Sequence, residues 1–141
     1  MRNMKIDILR KFFMENCPLL RGGNVKINYL SHKPYSFSVS PVGGEETVKK
    51  YADGGCLKQL VFRLSARFPY DEEDSELVAS AVFLEELSDW IKETSKKGIL
   101  PEFNSHSETV GMEVLSSGEM KKAETKTALY ELKARVLSYE L

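Results

Sequence analysis

Five carboxylates fall within six positions of this chain: Asp71, Glu72, Glu73 and Asp74, then Glu76 after Ser75. Clustered carboxylates can hold Mg²⁺ or Ca²⁺, or supply an acid–base pair. A calcium loop, however, places its ligands at alternate positions and needs a glycine for its sharp turn. This run is consecutive and has no glycine. The same residues suit the first turn of a helix, where carboxylates meet exposed N–H groups and the positive end of the dipole. Asp71 or Asp74 is a natural cap, so a helix start is the preferred reading and a carboxylate-dependent metalloenzyme the distant alternative.

Other chemistry is sparser still. Cys17 and Cys56 have no close spacing, and His32 and His106 stand apart in the polar stretches SHKP and NSHSE. A structural zinc site usually needs four ligands, commonly with paired spacing. No GxSxG is present, and neither cysteine has a histidine nearby in sequence to activate it. The pairs in RGGN, VGGEE and DGGCLK lack the spacing of a phosphate loop leading into a helix and read as turns between strands. Neither a catalytic group nor a cofactor or metal site is expected. With 20 basic against 21 acidic residues, the net charge of −1 argues against non-specific duplex binding, and no direct nucleic-acid recognition is expected. No apolar run reaches the ~20 residues of a membrane span, so no membrane partner is expected. The start, MRNMKIDILRKFF, does not read as a signal peptide.

The 141 residues suit a single domain over 1–141, able to bury roughly 70% of its unfolded surface. Apolar spacing predicts a helix over about 3–16, stopped by Pro18 and the Gly22-Gly23-Asn24 cluster. Val25, Ile27 and Tyr29 alternate with polar residues, as do Tyr35, Phe37 and Val39, predicting two strands. EETVKKYADGG reads as a polar strand or hairpin arm. Residues 57–68 form the clearest strand, with Leu60, Phe62, Leu64, Ala66 and Phe68 on one face. Gln59, Val61, Arg63, Ser65 and Arg67 take the other face, which is wet or meets a partner. Arg63 is expected to pair across strands with Glu131 or a neighbour.

The clearest helix spans about 73–97. Leu77, Ser80, Phe83, Leu84, Leu87, Trp90 and Ile91 follow helical spacing, with Lys96, Lys97 and Gly98 at its end. TVGMEVL is a plausible strand, SSGEMKKAE a turn or arm. ALYELKARVLSYEL is preferred as a long strand, although helix propensity supports the other choice. The order predicts an α+β fold: a mixed or antiparallel sheet with the N-terminal helix and the long central helix packed on one face.

In order along the chain come NCPLL (16–20), YSFSVSPVG (35–43), YADGGCLKQLVFRLSARFPYDEEDSE (51–76), FLEELSDWIKETSKKGILP (83–101) and ALYELKARVLSYEL. This succession resembles the small tail-terminator proteins, often labelled minor capsid proteins, of long-tailed phages and prophages of Gram-positive bacteria. The resemblance spans nearly the full length and is carried mainly by DGG, a Gln entering the strand, FPY before the acids, the Trp90 helix and G-x-LP after it. The family often has an asparagine-rich turn where this chain has LVASAVF. The resemblance implies a ring, typically hexameric, on the head-proximal end of the tail tube. Such a ring stops tube polymerisation and makes a surface for joining the head. Its partners would be other copies of the chain, the tail-tube protein and a head-completion or connector protein. Its location would be the host cytoplasm during assembly, then the virion tail. Another head–tail connector component is the alternative. Amphipathic patterning nominates Lys49, Lys50, Tyr51, Arg63, Arg67, Leu137 and Tyr139 as contacts to a neighbouring subunit or the tube.

Overall fold

The structure is a computed structural model that describes residues 4–20, 25–31, 33–70, 74–104, 106–123 and 126–140. The elements run α1 (Met4–Asn16), β1 (Val25–Ile27), β2 (Ser36–Pro41), β3 (Thr47–Lys50), β4 (Cys56–Pro69), α2 (Asp74–Lys96), β5 (Ser107–Ala123) and β6 (Thr127–Glu140). The fold is α+β, as the alternation of period-two and helical spacing predicts. The described strands form one sheet in the order β1-β2-β4-β6-β5, and β3 pairs with β4 beyond the end of β2. β1 and β2 are parallel and every other pair is antiparallel, so the sheet is mixed.

β4 and β6 are the spine. They pair in unbroken register from Cys56 opposite Glu140 to Pro69 opposite Thr127. The final segment is therefore a strand, because its alternating apolar face finds a partner strand along its whole length. Phe62, Leu64, Ala66 and Phe68 of β4 and Ala128, Tyr130, Leu132, Ala134 and Val136 of β6 are buried on one side of the sheet. Both helices reach that side. The Phe13 ring of α1 lies 5.7 Å from Phe62, and the Phe83 ring of α2 lies 4.8 Å from Phe68. Trp90 joins the helices, 5.6 Å from Phe13 and 6.0 Å from Phe12. α2 also comes close to β5: a Cβ added at Gly118 would sit under 3 Å from Leu84 Cβ. The absence of a side chain at 118 sets how near the helix can lie.

Where elements end, the backbone gives the reason. β1 stops at Ile27 and excludes Tyr29 because Asn28 takes a left-handed conformation at φ 58°, and β2 opens after Tyr35 at φ 61°. α2 closes on Gly98 at φ 77°, whose N–H donates to Ser95 O while that of Ile99 donates to Thr94 O. This paired closure satisfies carbonyls that the helix end would otherwise leave open. Gly44 (φ 141°) and Gly54 (φ 93°) serve turns, as their spacing suggests. Asp74 begins α2. Asp71, Glu72, Glu73 and His32 lie outside the described residues, as do Gly22, Gly23 and Asn24.

One expectation is corrected. SSGEMKKAE is not a free arm, since β5 continues through it to Ala123 opposite Ala128. The pairing is interrupted by register shifts between Thr109 and Gly111, Val114 and Ser116, Ser116 and Glu119, and Met120 and Lys122. Each bulge resets which side chains face the core, so the period-two pattern disappears from the sequence while the strand persists. Among the described residues, no helix is long and apolar enough to cross a membrane.

Candidate assembly surface

The helices cover one face of the sheet; the other carries the odd-numbered residues of β4 and β6. Arg63 Nε lies 3.6 Å from Glu131 Oε1, the cross-strand pairing its position suggests. Ser65 Oγ donates to Glu131 Oε2 at 3.4 Å. Arg135 Nη1 donates to Gln59 Oε1 at 2.9 Å and its Nε to Glu113 Oε1 at 2.7 Å, linking three strands. Such exposed pairs add ~0–1 kcal/mol each. Their main effect is to fix the orientation of side chains across the face.

Arg67 departs from expectation. It lies on this face but is only 6% exposed, because the segment after β1 folds over it. Its Nε donates to Ser31 O at 3.0 Å and its Nη1 to Thr127 Oγ1 at 3.2 Å, while its own carbonyl accepts from the Tyr35 N–H at 2.6 Å. The guanidinium ties Ser31 to Thr127 across the sheet, and little of it is left exposed. Arg63 remains on the open face, and Lys50 lies opposite Cys56 on β3, on the other side of the strand from Lys49.

At the far end of the face, Lys49, Tyr51, Leu137 and Tyr139 gather. Cross-strand register puts Lys49 opposite Leu57, Leu57 opposite Tyr139 and Leu137 opposite Gln59. The Tyr51 and Tyr139 rings are 5.7 Å apart, and Lys49 Nζ stands 5.4 Å from the Tyr51 centroid. Tyr139 Oη donates to Asp53 Oδ2 at 2.9 Å, and Asp53 Oδ1 accepts from the Gly55 N–H at 2.9 Å. A Cβ at Gly55 would overlap the Tyr139 phenol, so glycine is what lets the ring lie across the turn. Sequence places Asp53 and Gly55 in a turn but does not connect them with Tyr139. The signal was there in Asp-Gly-Gly, a turn in which an Asp side chain caps a backbone N–H two residues on.

The corner has a pH signature. The hydrogen bond to Asp53, then burial, raises the Tyr139 phenol above its ordinary value. The Gly55 N–H, then Tyr139, lowers the Asp53 carboxyl. The contact stabilises the fold while the phenol is protonated and the carboxylate ionised. It weakens as pH rises through a phenol value above about 10, and as pH falls through a carboxyl value below about 3.9. An NMR titration should show Tyr139 ionising later than a free phenol, and Asp53→Asn should bring it back. An unchanged Tyr139 titration in that variant would remove Asp53 as the cause.

Cys17 is fully buried and Cys56 half-buried, both as free thiols; burial raises the Cys17 thiol above its usual range. His106 is exposed. Among the described residues, no three His, Cys, Asp or Glu side chains come together as metal ligands. The chain matches no protein-family model and no curated protein.

Proposed function

We propose that this is a structural virion-assembly protein of the tail-terminator kind rather than an enzyme. In this reading, copies of the chain form a ring on the head-proximal end of the tail tube, stop its polymerisation and offer a surface for joining the head. Its partners are further copies of itself, the tail-tube protein and a head-completion or connector protein. It works in the host cytoplasm during assembly and remains in the virion tail. The observation that carries this reading is the sheet face left clear by both helices, ending in the Lys49, Tyr51, Leu137 and Tyr139 corner. Tyrosine is among the residues enriched at protein interfaces, and a rigid sheet holds such a corner in place for repeated, identical contacts. The resemblance of the sequence to tail terminators supplies the biological setting.

Tail length tests the proposal. Deletion of the gene should yield overlong tails in electron micrographs, and the intact gene supplied in trans should restore the normal length. Tails of normal length in the deletion would overturn it.

A further inference from the structure

A single row of residues crosses the sheet at its Tyr139 end. Lys49 on β3 stands opposite Leu57 on β4, Leu57 opposite Tyr139 on β6, and Tyr139 opposite Glu108 on β5. The row begins on one edge with a lysine and ends on the other edge with a glutamate. β3 pairs only with β4, and β5 only with β6, so both terminal strands expose an unpaired side among the described residues. Open edges of this kind template pairing with another chain.

Each edge is also apolar where its regular pairing breaks. Val48 (43% exposed) lies at the shift between Thr47 and Lys49, and Val110 (52%) at the shift between Thr109 and Gly111. The ends of the row are thus matched in two respects: basic against acidic, and apolar against apolar. Glu113, further along β5, is occupied by Arg135 and is not needed.

Strand direction makes the match directional. β3, β4, β6 and β5 alternate in sense across the row, so β3 and β5 run opposite ways. A second copy continuing the row would lay its β3 antiparallel to β5 of the first, the same pairing that joins the strands within one copy. Lys49 of the second copy would then fall beside Glu108 of the first, about 4.8 Å away in the hydrogen-bonding direction.

We propose that copies of this chain associate head to tail through β3 of one subunit and β5 of the next, with Lys49 and Glu108 fixing the register. The proposal rests on the ring reading above and names the contact that builds the ring. A head-to-tail contact leaves one edge free at every addition, and it closes only when successive rotations return to the start. Twist between neighbouring strands supplies a rotation at each joint.

Charge reversal tests it by light scattering and analytical ultracentrifugation. Lys49→Glu alone and Glu108→Lys alone should each raise the concentration needed for assembly at least about fivefold. An equimolar mixture of the two variants should assemble again, because every joint in an alternating ring then pairs opposite charges. Added salt should weaken wild-type assembly. Hydrogen exchange supplies a second readout: amides in residues 108–111 should become protected in the assembled wild type. If wild type forms rings while both variants assemble normally and these amides gain no protection, the edge pairing is overturned and the ring reading stands. If wild type stays monomeric at the highest concentration reached, with and without tail tubes, both are overturned.

Discussion

Phe62→Ala should remove about 3–5 kcal/mol of stability, the usual range for emptying a well-packed phenylalanine site. Phe62 is fully buried, on a strand paired along both sides, and its ring meets Phe13 of α1. The neighbours cannot easily collapse into the vacated space. Phe13 is itself held against Phe12 and Trp90, and β4 is fixed in register by β6. Urea unfolding should show a lower midpoint with an unchanged slope, since a lost side chain changes stability more than the surface exposed on unfolding. Val110→Ala, at the open edge, should stay within about 0.5 kcal/mol of wild type in the isolated chain. A loss below about 1 kcal/mol for Phe62→Ala would contradict the packing described between α1 and the sheet.

Arg67→Met should cost about 3 kcal/mol or more, because hydrogen bonds to a charged group contribute ~1.5–3 kcal/mol each and at least two acceptors lose their donor. Methionine keeps much of the apolar stem while removing the guanidinium, so the loss reports the polar contacts more than the volume. Ser31 O and Thr127 Oγ1 are two of the acceptors. The chain at Ser31 should become more open to limited proteolysis than in wild type, since Arg67 holds its carbonyl. A surface role for Arg67 predicts the opposite pattern: wild-type stability with altered association. Measuring unfolding and association on the same sample separates the two.

The parts visible in sequence are those whose signals are local. α2 announces itself through Leu84, Leu87 and Ile91 at helical spacing and through Gly98 at its close. β4 does so through the uninterrupted alternation from Leu60 to Phe68. β5 beyond Val114 was hidden because bulges shift the parity of every later residue. Arg67 shows a different limit. Alternation assigns it correctly to the face away from Phe62 and Phe68, but says nothing of what returns to cover that face. The cover comes from Ser31, 36 positions earlier, between the left-handed residues Asn28 and Tyr35. The Tyr139 corner lay between these extremes. Lys49, Tyr51 and Tyr139 were each nominated for amphipathic patterning, yet their juxtaposition depends on the β4–β6 register. No stretch of sequence states that register by itself.

β6 comes last of the strands, yet it lies between β4 and β5. As the chain leaves the ribosome, β4 and β5 are both made before the strand that joins them. Until residues 127–140 follow, Lys49 and Glu108 belong to separate pieces of sheet, with no Tyr139 to complete the row between them. Insertion of this one strand therefore acts as a timer. A newborn chain acquires its two matched edges together, and only after the intervening polypeptide has been synthesised. In the ring proposed above, the order of the strands alone would keep partly made chains from joining.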